Sequence, residues 1–159
     1  MFANVVAWLC IHLGVSSLVS IVPDPFVNAF AGLYRVKRWE SQDKVYEHLG
    51  VKKWKDRLPE ARKWFRREKS AAHLRSPSQW ERFEKQTNRS ELSHWIQMLA
   101  APFFFLFNPP WAGWIMVAYA LLFNLPFIIV QRYNRVRLMR VKDRVFSSDR
   151  GHCPRVKGH

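Results

Sequence analysis

At 159 residues the chain has room for one domain, and 26 Lys+Arg against 12 Asp+Glu give it a net charge of +14 beside a hydrophobic fraction of 48%. So basic a chain raises nucleic acid as a partner, but the charge is confined to two blocks: residues 33–90 hold 17 Lys/Arg against 8 Asp/Glu, and residues 132–159 hold 9 against 2. Charge and apolar runs segregated in this way mark a membrane protein, and the absence of a CxxC, a Gly-rich phosphate loop, a nucleophile-elbow serine or a His-rich metal motif leaves covalent Ser/Cys chemistry and a metal site without support.

The first apolar segment covers residues 2–22, with His12 its one imidazole. No Lys or Arg precedes it and no small-residue cleavage pattern follows before Pro23-Asp24-Pro25, so a retained span is expected rather than a cleaved signal. His12 is read first as a hydrogen-bonded packing residue and second as part of a substrate groove. The two cysteines, Cys10 and Cys153, lie in this span and in the tail and give no disulfide framework.

A basic loop, residues 33–90, follows, with Trp39, Trp54, Trp64 and Trp80 interleaved with Lys and Arg, as in residues 51–56 and 62–67. Short amphipathic helices on an anionic membrane have this composition, and Pro59 and Pro77 divide the loop into such pieces. Nucleic-acid binders also combine base with aromatics, but no recognised nucleic-acid motif accompanies the charge, so membrane lipid is the expected partner and nucleic acid is not.

The second and third apolar segments cover residues 90–107 and 112–131, joined by the breaker Asn108-Pro109-Pro110-Trp111. A bilayer core of about 30 Å asks for about 20 helical residues, which segments one and three supply and segment two supplies by starting near Ser90. The expectation is an all-α integral membrane protein: an N-terminal span, a helical hairpin (a re-entrant hairpin being the alternative) and a basic tail over residues 132–159. The positive-inside rule puts both basic blocks in the cytoplasm and the N-terminus and the hairpin turn outside, in a multi-pass protein of the cell membrane.

Two groups of residues point to chemistry. Glu91 and His94 are three apart at the start of segment two and share a helix face, so the carboxylate can orient an imidazole acting as general base; the plainer reading has His94 packing at the interface and Glu91 paired with Arg89. On the other arm, Asn124 and Pro126 interrupt an apolar run that ends in Gln131, Arg132, Asn134 and Arg135. A plain anchor has no use for that amide or proline, although the arginines alone also suit a stop-transfer border. Counted from the turn at about 1.5 Å per residue, His94 and Asn124 fall at one depth, with Gln131 a face-repeat nearer the cytoplasm, and Pro126 deprives the Leu122 carbonyl of its helical donor. A polar seam between two buried helices would admit a hydroxyl from an amphiphile.

Pro23-Asp24 with Phe26, Lys53-Trp54-Lys55, then Thr87, Arg89, Glu91-Leu92 and His94-Trp95, and above all Asn124, Pro126, Ile128-Ile-Val-Gln-Arg-Tyr-Asn-Arg135 and Arg137-Leu138, resemble the glycosyl-4,4'-diaponeurosporenoate acyltransferase family of staphyloxanthin-type carotenoid biosynthesis. The likeness covers roughly residues 20–138, with Val136 where proline is expected. It implies an O-acyltransferase that esterifies a sugar hydroxyl of a glycosylated C30 carotenoid acid. On that reading His94 is the base and Glu91 its orienting group. Arg89, Asn124, Gln131, Arg132, Asn134 and Arg135 hold the sugar or the oxyanion. No cofactor is expected, and an acyl thioester such as acyl-CoA is the co-substrate. The rivals are a non-catalytic membrane adaptor gripping lipid or a pathway enzyme, and an acyltransferase for another glycolipid.

Overall fold

A computed structural model describes residues 2–40, 44–55 and 76–151, and the described residues are helical, with no strand among them. Helix α1 covers Phe2–Ile21; short helices α2 (Asp24–Ala29), α3 (Ala31–Tyr34), α4 (Lys44–His48) and α5 (Val51–Trp54) follow. Helix α6 covers Pro77–Leu99, a 3-10 helix covers Ala101–Leu106, and helix α7 covers Pro110–Gly151. Trp64, Pro59, the cationic stretch 62–67 and Cys153 lie outside the described residues.

Helix α6 starts at Pro77, thirteen residues before the apolar segment, because a strong start signal sits there. Ser76 accepts from the Gln79 backbone N–H, the Gln79 side chain accepts from the Ser76 N–H, and Pro77 occupies the first turn, where no donor is needed. At the other end Pro102 lacks the N–H an α-helix would use, and the chain tightens into the 3-10 helix. Asn108 then closes the turn: its Nδ2 donates to the Phe104 carbonyl, and it exchanges amide hydrogen bonds of 2.9 and 3.2 Å with Asn4 of α1. The expected hairpin is therefore present, returned on itself by residues 107–109.

Helix α7 is longer than the third apolar segment and carries on through the region expected as a basic tail. Its 42 residues span about 63 Å, twice the hydrocarbon core of a bilayer. Pro126 lies within it, and Val136 is buried in unbroken helix. Gly113 lets the 3-10 helix fold against α7, since a Cβ there would fall 2.5 Å from the Phe105 ring.

Helices α1 and α7 (to Ser147) are long and apolar enough to cross a membrane. Trp8 and Val19 are the buried residues of α1; Phe2, Leu9, Leu13, Leu18 and Ile21 point outward, as do Leu122, Trp111 and Trp114 of α7. Outward apolar surface of this kind suits lipid contact. The core lies along the α6–α7 seam: Trp80 and Phe83 meet Leu138 at one end, and Trp8, Ala101, Phe104 and Ala120 cluster at the other. Val19, Val27, Tyr34 and Leu92 tie α1 to the following turns, and Tyr46 and Val51 dock α4 and α5 on Val130 and Val136. Among the loop tryptophans, Trp80 is core, Trp54 donates to the Leu49 carbonyl, and Trp39 is exposed.

Candidate active site

The seam between α6 and α7 carries polar residues in layers. Nearest the hairpin turn are His94 and Asn124, 4% and 0% exposed. His94 Nδ1 lies 2.9 Å from Asn124 Oδ1, and Asn124 Nδ2 donates to the Ala120 carbonyl at 2.8 Å. Because the amide's NH2 is committed to Ala120, its oxygen is the acceptor, so His94 Nδ1 carries the proton and Nε2 is the basic nitrogen of the neutral ring. The Phe127 ring stacks on the imidazole at 4.8 Å, 5° from parallel. The depth match expected from counting residues is met by direct contact.

The next layer joins Ser90 and Gln131, with the Gln131 Nε2 donating to Ser90 Oγ at 3.0 Å. Gln131 Oε1 is buried with no hydrogen-bond partner, an acceptor aligned with the same seam. Asn134 is buried one turn further along.

Level with them, at the neighbouring positions 91 and 132, is a layer of buried charge. Glu91 Oε1 accepts from Arg132 Nε at 3.0 Å and from Trp95 Nε1 at 3.2 Å, and Glu91 Oε2 pairs with Arg135 Nη2. Arg132 also reaches Glu40 Oε1 at 2.6 Å and the Leu33 carbonyl at 2.6 Å, and Arg135 Nη1 donates to Asn88 Oδ1 at 2.7 Å. Two acids and two guanidinium groups leave the layer close to neutral, and buried ions are stable only when paired this fully. The contacts of Glu91 are thus to the arginines and Trp95, and the position expected for it beside the imidazole is taken by Asn124.

Arg89 is directed elsewhere. Its Nη1 donates to the Val19 and Ser20 carbonyls at 2.7 and 3.2 Å, and its Nη2 pairs with Asp24 at 2.7 Å, so it caps the C-terminal end of α1. A cation over unsatisfied helix-end carbonyls is favourable in both hydrogen bonding and dipole. Arg89 and Lys85 hold the Asp24 carboxyl below the usual carboxylate range.

A second polar patch, on the α1–α6 side, joins His12 Nδ1 to Gln97 Oε1 at 2.9 Å, and Gln97 Nε2 to Ser16 and Ser93 at 3.2 and 3.3 Å. His12 is thus a hydrogen-bonded packing residue, and it also lines an apolar groove of about 350 Å³ with Trp8, Met116 and Tyr119. Sequence reasoning passed over Ser93 and Gln97, although His12/Ser16 and Ser93/Gln97 each repeat at four residues within apolar runs, a usable signal. Glu40 had no such signal: it is one acid in a basic loop. Among the described residues no group of acids, His and Cys is arranged to hold a metal.

Comparison with known proteins gives one family. The sequence profile described as glycosyl-4,4'-diaponeurosporenoate acyltransferase matches residues 31–144. Over 139 residues the chain is 31% identical to a protein of that name from Staphylococcus aureus (strain MRSA252), covering 84% of this chain and 82% of the relative. Proteins of the same name from S. aureus strains bovine RF122 / ET3-1 and USA300 are 30% identical over the same shares. No solved structure matches the chain.

Proposed function

The chain belongs to the glycosyl-4,4'-diaponeurosporenoate acyltransferase family, and from this we propose that it moves a fatty acyl group from a thioester onto a sugar hydroxyl of a glycosylated C30 carotenoid acid. The observation that carries the mechanism is the buried His94–Asn124 pair, which holds Nδ1–H and aims the basic character of the ring at Nε2. In the proposed step Nε2 takes the hydroxyl proton as the sugar oxygen attacks the thioester carbonyl. The tetrahedral oxyanion collapses with cleavage of the C–S bond, and the imidazolium returns the proton to the departing thiolate. Asn124 positions the base. Gln131 and Asn134 hold the sugar, the unpartnered Gln131 Oε1 accepting from one of its hydroxyls. Glu91, Arg132 and Arg135 hold α6 to α7 beneath the sugar, and Arg89 anchors α1.

The membrane supplies the rest. The polyene of the acceptor lies in the apolar layer against the outward faces of α1 and α7, and its sugar sits at the seam. At 4% exposure His94 is reached when the Phe127 ring swings off it. The second crossing is short in residues but not in length. Residues 90–99 rise about 15 Å as α-helix and residues 101–106 about 12 Å as 3-10 helix, together near the 30 Å of a bilayer core. Three crossings follow, with both basic blocks in the cytoplasm.

The experiment is acyl transfer by purified protein from a panel of acyl thioesters to a glucosylated carotenoid acid, with the ester identified by mass spectrometry. His94→Ala should cut the rate by about 10²–10⁴-fold, the usual worth of a general base. Near wild-type transfer by a folded His94→Ala protein removes the imidazole from the mechanism. No ester from wild-type protein with any acceptor favours the adaptor, and an ester formed only with ordinary glycolipids reassigns the acceptor.

A further inference from the structure

Between α3, α6 and α7 lies a cavity of about 660 Å³ that this reaction has not used, on the far side of the Glu91–Arg132 layer from His94; its lining includes Tyr34, Arg35, Asn88, Arg135, Leu138 and Lys142. The volume is that of a small-ligand site, roughly 300–1,000 Å³. Of the lining cations, Arg135 is paired with Glu91 and Lys142 with Glu84 at 2.9 Å, so the anion preference of the walls rests on Arg35. The lining also has unspent donors. The Tyr34 hydroxyl and Arg135 Nε are buried without a hydrogen-bond partner, an arrangement that native proteins seldom leave uncompleted. Burial pushes the Tyr34 hydroxyl up to about 12, so it stays protonated and donates. Asn88 turns its oxygen to Arg135, which leaves its NH2 as the donor end.

Spacing identifies the anion. Asn124, which holds the base, and Arg135, which lines the cavity, are eleven residues apart on one helix, about 16 Å. A phosphopantetheine arm has about thirteen bonds from phosphorus to sulfur, an extended reach of about 15 Å at the per-residue span of a peptide chain. We infer that this cavity binds the phosphate of the acyl donor's phosphopantetheine arm, with Tyr34, Arg35 and Asn88 as ligands, so that the thioester reaches His94 along the seam. The inference rests on the proposed thioester reaction. A phospholipid headgroup offers the same phosphate chemistry from within the bilayer.

The test is direct binding, independent of turnover. Coenzyme A is titrated calorimetrically into the full chain in phosphatidylcholine nanodiscs, and again in nanodiscs containing phosphatidylglycerol. Saturable binding is expected in both, weakened at least tenfold by Arg35→Glu and about threefold by Tyr34→Phe, each variant first shown to unfold at the wild-type temperature. No saturable binding to wild-type protein overturns the inference, as does binding indifferent to both substitutions. Binding abolished by phosphatidylglycerol assigns the cavity to a headgroup instead and also overturns it. The product assay separates the two claims: ester formed from a donor lacking phosphopantetheine, without coenzyme A binding, ends the cavity assignment and leaves acyl transfer standing. Coenzyme A binding with no ester formed does the reverse.

Discussion

Replacing Asn124 by leucine tests how the proposed base is held. The 2.9 Å hydrogen bond from His94 Nδ1 to Asn124 Oδ1 is what selects the tautomer with a basic Nε2. A net worth of about 0.5–1.5 kcal/mol for such a bond corresponds to about 2–13-fold in the population of the correct tautomer. Asn124→Leu is therefore expected to slow acyl transfer about 3–10-fold, far less than the 10²–10⁴-fold expected for His94→Ala. The amide's own donation to Ala120 is dispensable, because that carbonyl lies within a helix, but the stranded imidazole N–H costs about 1–3 kcal/mol of stability. The double variant decides the matter. If Asn124 acts through His94, Asn124→Leu adds nothing to the rate defect of His94→Ala, since residues working as one unit are not additive. The measurement is single-turnover ester formation, quantified by mass spectrometry on folded protein in nanodiscs. A full 3–10-fold loss from Asn124→Leu in the His94→Ala background would refute the positioning role.

Three further expectations test the framework. Glu91→Gln strands the Arg135 charge and leaves Arg132 to Glu40 alone, and breaking a buried pair on one side costs about 3–5 kcal/mol, so its thermal unfolding temperature in detergent should fall steeply; an unchanged temperature contradicts a bracing role. Gly113→Ala sets a methyl 2.5 Å from the Phe105 ring and should lower stability by about 1–3 kcal/mol, with recovery when Phe105→Ala is added; denaturant unfolding of the pair checks this. Single cysteines introduced at Asn108 and at Ser147 in a cysteine-free background should react with a membrane-impermeant maleimide from opposite sides of the membrane, and labelling from the same side rules out three crossings.

The pairing of the two arms was legible in the sequence because both signals were local. Asn108-Pro109-Pro110 fixed the turn, and helical rise from it put His94 level with Asn124. Helix length was less legible. Hydropathy marks where lipid ends, whereas a helix ends where its caps and packing end. Ser76 and Gln79 therefore start α6 well before its apolar part, and Leu138 packed on Trp80 and Phe83 carries α7 past its own. The partner of Glu91 was illegible for another reason. Spacing of three puts Glu91 and His94 on one face, but a carboxylate in a dry seam is drawn to the strongest available donors, and Arg132 and Arg135 outbid a neutral imidazole. The resemblance and a shared level at the membrane border put Arg89 with the sugar-holding residues, whereas its side chain is directed to the bare carbonyls of α1, which no local pattern announces.

That division of labour explains why so basic a chain has so little free charge around the proposed base, His94. A thioester carbonyl and a sugar hydroxyl are neutral, and an unpaired guanidinium beside His94 would disfavour the imidazolium that forms when the proton moves. Arg132 and Arg135 lie eight and eleven residues along α7 from Asn124, about 12 and 16 Å, and both are tied to Glu91. The cationic side chains can thus brace the helices and draw anions to the membrane border without opposing proton transfer at its edge. Moving a cation closer should show the cost: Phe127→Arg puts a guanidinium where the ring stacks on His94, and it should slow acyl transfer by disfavouring the imidazolium. An unchanged single-turnover rate in that variant would mean that the proton is taken elsewhere.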